Sequence, residues 1–114
     1  MRFVLLISLL FPFVVGATDV MPNEGNLVYT PKLNEVLELK IWAKNTSNVS
    51  GFATIEFTVV KSGKVEDVNV IDAYPVSLGY DSVEAIKLWL FTPATVNGEV
   101  VKVTNKATFH FQQK

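Results

Sequence analysis

From Gly51 to Val59 every second side chain is apolar: Ala53, Ile55, Phe57 and Val59 alternate with Thr54, Glu56 and Thr58. A period of two sends one set to each face of a β-strand, so this stretch commits the chain to a half-buried sheet. Its β-branched content agrees. Lys61-Ser62-Gly63-Lys64 reads as a short turn in which Gly63 can adopt positive φ. Val65–Ala73 resumes the strand pattern, with Val68 and Val70 set against Asp67, Asn69 and Asp72, and Tyr74-Pro75 ends it. The two runs form a β-hairpin. A third alternating run, Glu99–Phe111, follows the turn pair Asn97-Gly98. Val101, Val103, Ala107, Phe109 and Phe111 share one face; Lys102, Thr104, Lys106, Thr108 and His110 share the other. Asn105 interrupts the apolar face, where a bulge is expected.

A sheet with one apolar face needs a cover. Asp81 reads as a helix cap with Glu84 three residues on. Val83, Ile86 and Leu90 then form a stripe beside Trp89, and Pro93 stops the run. A helix over Asp81–Phe91 is therefore expected to lie on the sheet. Pro31–Lys44 supports two readings. Thr30-Pro31 suits a helix start, and Leu33, Val36, Leu37 and Ile41 lie near one helical stripe; yet Leu37-Glu38-Leu39-Lys40-Ile41 alternates with strand period. Low β-branching before Ile41 favours the helix. Asn45–Ser50 is a loop by composition. The expected class is α+β: a small antiparallel three-stranded sheet packed by one main helix, in the order strand-strand-helix-strand, with an additional N-terminal helix. The last strand is expected at an open edge, partly blunted by Lys102 and Lys106.

The chain has 114 residues, 49% of them hydrophobic, room for one domain. Arg2 followed by the uncharged Phe3–Ala17 has the parts of a secretory signal, with cleavage expected after Ala17. The competing reading is a retained anchor, but fifteen helical residues rise only ~22 Å against a ~30 Å hydrocarbon core, and Pro12 weakens the helix. The division is then 1–17 signal, 18–50 leader and lead-in helix, 51–114 folded domain. Export would place the domain outside the cytoplasm. Asn45-Thr46-Ser47 and Asn48-Val49-Ser50 are sequons that matter only in a glycosylating host.

Composition narrows the function. A net charge of -1 gives no basic patch for nucleic acid. Absence of cysteine removes disulfides, thiolate catalysis and thiolate metal sites. His110 is the only histidine and stands on the polar face, so it has no partners for a triad or a metal site. Glu66, Asp67 and Asp72 offer carboxylates for acid–base work, but charged positions on a solvated strand look the same. Ser62-Gly63 is a turn rather than a nucleophile elbow, and neither Gly-rich phosphate motif occurs. Trp89 and Phe91 read as core; Trp42 reads as core or as the cover of a groove. No cofactor, metal or catalytic residue is expected.

The series Gly51, Gly63-Lys64-Val65, Pro75, Trp89-Leu90-Phe91-Thr92-Pro93-Ala94 and Asn97-Gly98, in that order and spacing, resembles the C-terminal domain of TonB energy transducers. The likeness covers residues 51–111. Two departures stand out. Tyr29-Thr30-Pro31 lies some twenty residues before Gly51, about twice the usual distance of the family's Tyr-Pro, and Leu90 replaces the Arg between Trp and Phe. Relatives that transduce energy also carry a membrane anchor with a functional His and a long Pro-rich spacer. Residues 1–17 hold no His, and the 33 residues between Ala17 and Gly51 reach at most ~110–120 Å fully extended.

The resemblance implies a periplasmic, non-enzymatic module that binds an extended segment of an outer-membrane receptor or another envelope protein by strand addition. With the alternating terminal run, it points to Val101, Lys102, Val103, Thr104, Asn105, Lys106, Ala107 and Thr108 as the pairing edge. Two other readings stand beside it: a structural subunit or homodimer whose edge is closed by its own kind, and an enzyme, which lacks clustered catalytic groups.

Overall fold

The computed structural model describes residues 26–114, so the expected signal segment lies outside the described residues. The hairpin is present. Gly51–Val59 forms one strand (β3) and Val65–Tyr74 its antiparallel partner (β4). Ala53, Ile55, Phe57 and Val59 are all buried, while Thr54, Glu56 and Thr58 face outward. The connecting turn closes through Val60 N–H to the Lys64 carbonyl at 2.9 Å and Gly63 N–H to the Val60 carbonyl at 2.8 Å. Gly63 has φ 88°, and a Cβ there would overlap the Phe91 carbonyl oxygen. Only glycine satisfies both conditions.

The terminal run divides in two. Glu99–Val101 (β7) pairs with Ala94–Val96 (β6) around Asn97-Gly98, and Val103–Phe111 (β8) joins the main sheet. Asn97 and Gly98 both take positive φ, as a tight hairpin turn requires. β8 pairs antiparallel with β3 from Val103 opposite Val59 to Phe111 opposite Gly51 without a register break. The bulge expected at Asn105 is therefore absent; its side chain is buried in line with Val103 and Ala107. The register breaks fall on β4 instead, at Ile71 and near Asp67, whose φ is 53°.

The covering helix (α1) spans Val76–Ile86, earlier than the cap signal at Asp81 predicts. Pro75 stands at its N-cap, and no side chain caps it. Leu78, Gly79, Ser82, Ala85 and Ile86 form its buried face. Gly79 lets the helix approach Val70 and Ala73 of β4. Asp81 is a mid-helix residue whose carboxylate accepts from Thr46 N–H at 3.0 Å and Thr46 Oγ1 at 2.9 Å. Trp89 lies beyond the helix and is fully buried. Leu90–Thr92 is a short strand (β5), not a last helical turn.

The lead-in is not helical. Val36–Leu39 forms a strand (β2) paired antiparallel with β5, so the alternation within Leu37–Ile41 prevails over the helical stripe. Leu37 and Ile41 pack against the core, Ala43 is fully buried, and the Ile41 carbonyl accepts from Trp89 Nε1 at 2.8 Å. A further strand, Asn26–Tyr29 (β1), pairs antiparallel with β8. The class is α+β, but the main sheet has four strands in the order β1-β8-β3-β4, beside the pairs β2-β5 and β6-β7. Phe57, Trp89, Phe91 and Phe109 form the centre of the core, with ring centroids 5.8–6.2 Å apart along its contacts.

Candidate functional site

Two strands bound the main sheet, and they differ. β4 is long, but its two bulges break the flat run of backbone groups that a new strand would need. Its carboxylates Glu66, Asp67 and Asp72 are exposed on the strand. His110 is also exposed on the outer face.

The opposite side corrects the expectation of a free terminal strand. Ala107 and Thr108 lie between β1 and β3: Tyr29 pairs with Ala107 and Val28 with Thr108, while Ile55 and Thr54 face them from the other side. Val101 pairs with Ala94 in the small hairpin, and Lys102 is the link between β7 and β8. Val103, Thr104, Asn105 and Lys106 pair with β3 on one side only. Among the described residues no strand pairs with their other side. The open edge is therefore four residues, roughly 13 Å of strand.

The edge stops being covered because the chain turns away. β1 ends at Tyr29, and Pro31 has no N–H to continue a ladder. Lys32–Asn34 bend, and Glu35 organises the bend: its Oε2 accepts from Lys32 N–H at 2.9 Å and its Oε1 from Leu33 N–H at 2.9 Å. Tyr29 Oη donates to Oε2 at 3.2 Å. Glu35 is 2% exposed. Burial alone would raise its pKa; the N–H groups of Lys32, Glu35 itself and Leu33 outweigh this, helped by the nearby Asn105 amide, and hold the carboxyl below its ordinary value. Neither polar atom of the Asn105 amide completes a well-formed hydrogen bond. Burial, the Glu35 charge and the bond to it push the Tyr29 phenol far above its ordinary range, so it remains a donor.

Beside this corner, on the outer face, lies an open cleft of about 400 Å³. Tyr29, Thr30 and Lys32 form one wall; Glu56, Thr104 and Lys106 form the other. Glu56 and Lys106 are cross-strand partners, and Thr58 and Thr104 share a hydroxyl hydrogen bond at 3.1 Å. The lining of the cleft mixes polar and apolar surface, carries both charge signs in Glu56, Lys32 and Lys106, and adjoins the unpaired backbone. That chemistry suits an extended peptide better than a small apolar ligand. Among the described residues no group of three or more His, Asp or Glu is placed to hold a metal ion. A second groove, about 270 Å³, lies between the lead-in and α1; Trp42 lines it, half-buried, with Lys40 Nζ 4.4 Å from its ring centre.

Tyr29, Glu35 and Asn105 are the site residues that sequence reasoning left without a role or placed on an edge. The one available signal was an acid within an apolar stripe, Leu33 to Val36, which a lead-in helix would have turned to solvent.

No curated protein matches the chain at a significant level. Among family profiles, that of the Gram-negative bacterial TonB protein C-terminal matches residues 44–112. The match begins in the lead-in, runs through the hairpin, α1 and the buried Trp89 segment, and ends one residue past β8. It takes in more than half of the sequence, and the chain belongs to the TonB C-terminal family.

Proposed function

We propose that this TonB-like protein-interaction module works in the periplasm, without catalysis, by adding an extended segment of an envelope protein to the β1/β8 side of its main sheet. An N-terminal segment of an outer-membrane receptor is the partner class that the family supports. The observation that carries the reading is the unpaired side of Val103–Lys106, next to a cleft that carries both charge signs and opposite a β4 edge blunted by bulges. Main-chain pairing would supply affinity, and Lys106, Glu56 and Thr104 would choose among side chains on the outer face. No helix among the described residues is long and apolar enough to cross a membrane.

Titration of the mature chain with receptor N-terminal peptides, followed by backbone amide shifts, tests this. Shifts centred on Val103–Lys106 and β1 support it. Shifts confined to β4 or to the Trp42 groove contradict it. Sedimentation separates the competing reading: a tight dimer that ignores every peptide assigns the edge to self-association.

A further inference from the structure

β1 occupies the same edge that an added strand would use. It runs antiparallel along Ala107–His110 and stops where the open stretch begins. Its hold is slight. Of its described residues, Asn26 and Val28 are exposed, with Val28 at 55%, and Leu27 and Tyr29 reach the core, each partly buried. The inward residues of its neighbour β8, and those of β3 from Ala53 to Val59, are buried. The far end of β1 is held by the Tyr29–Glu35 hydrogen bond and by the packing of the Tyr29 ring on the core.

We infer that β1 is a displaceable resident strand: a partner segment binds by replacing Asn26–Tyr29 along β8, and the segment that fits copies its pattern, an aliphatic residue opposite Phe109 and an aromatic residue opposite Ala107. The inference rests on the β8 edge being the docking edge and names how that edge is opened. The pattern follows from what β1 fills. Leu27 faces Phe109 in register, and the Tyr29 ring lies 6.0–6.2 Å from Phe57, Trp89 and Phe91. A replacing strand gains all of Val103–His110, eight residues of edge instead of the four left open. A resident strand lowers apparent affinity by the fraction of time that it keeps the edge closed, so weakening it strengthens binding without touching the docking surface.

A synthetic peptide with the sequence of residues 24–31, EGNLVYTP, serves as the probe, because it carries the pattern whether or not a natural partner is known. Its binding to the full mature chain and to the Leu27→Asn variant is compared by fluorescence anisotropy, with a control peptide carrying Leu27→Ser and Tyr29→Ser. The expected result is at least tenfold tighter binding to the variant and loss of binding by the control. Equal binding to both chains with β1 amide signals unchanged overturns the inference while leaving strand addition at Val103–Lys106 intact. Binding of a receptor peptide but not of the probe to either chain overturns the proposed pattern. Binding of neither peptide to either chain removes both readings. Hydrogen exchange of the unaltered chain provides a second measure, independent of how the variant folds. Amides of β1 should exchange at least a hundredfold faster than those of β3; equal protection would make β1 a permanent strand and overturn the inference.

Discussion

The Tyr29 phenol donates to Glu35 Oε2 at 3.2 Å, joining the end of the first strand to the buried carboxylate that shapes the bend after it. Glu35→Gln keeps the shape but removes a charge that accepts two backbone N–H groups. A loss of about 1–3 kcal/mol in urea unfolding is expected, by the usual worth of hydrogen bonds to a charged group. Tyr29→Phe keeps the ring in its aromatic cluster and should cost only about 1 kcal/mol.

Glu35 also sets an acid limit. Its folded pKa lies below the ordinary 4.5, so the folded state favours the carboxylate. Its stabilisation is fully present above pH 4.5 and is lost as pH falls through the depressed folded value. Stability measured against pH should fall in that acid range for the natural chain and more shallowly for Glu35→Gln. Parallel curves would show that another group governs the acid limb.

Gly63 holds the β3–β4 turn against the strand that follows Trp89. Its carbonyl accepts from Phe91 N–H at 2.8 Å, and its φ is 88°. Gly63→Ala meets both left-handed backbone strain and the Phe91 carbonyl, so a loss of about 2–4 kcal/mol is expected in chemical denaturation.

Trp89 is the largest fully buried side chain and ties the lead-in to the core through the Ile41 carbonyl. Trp89→Phe leaves that carbonyl without its donor and empties part of the site. The expected cost is about 2–4 kcal/mol, with faster exchange of amides in Val36–Ala43 than in α1.

The parts of the fold that could be read from the residues are those fixed by local period. Alternation at Gly51–Val59 and the glycines at 63 and 98 specify strands and turns wherever the chain goes. Asp81 and Glu84 look like a capping pair, whereas Pro75 starts the helix and Asp81 serves Thr46 instead. In the lead-in a weak helical stripe competes with a strand whose partner, Leu90–Thr92, is more than fifty residues away. Nothing local in the terminal strand announces that Asn26–Tyr29 will pair with it. Sheet order depends on distant pairings, and a four-residue strand carries almost no periodic signal. The site residues Tyr29, Glu35 and Asn105 come together only through that pairing.

In the proposed mode an extended partner segment completes the sheet beside β8. The most direct measurement is a backbone amide titration of residues 18–114 with receptor N-terminal peptides, resolved residue by residue. The account predicts saturable shifts at Val103–Lys106 together with changes in Asn26–Tyr29, and little change in β4. A saturable complex whose shifts map to Val65–Tyr74 or to the Trp42 groove, with β8 and β1 unmoved, would contradict it.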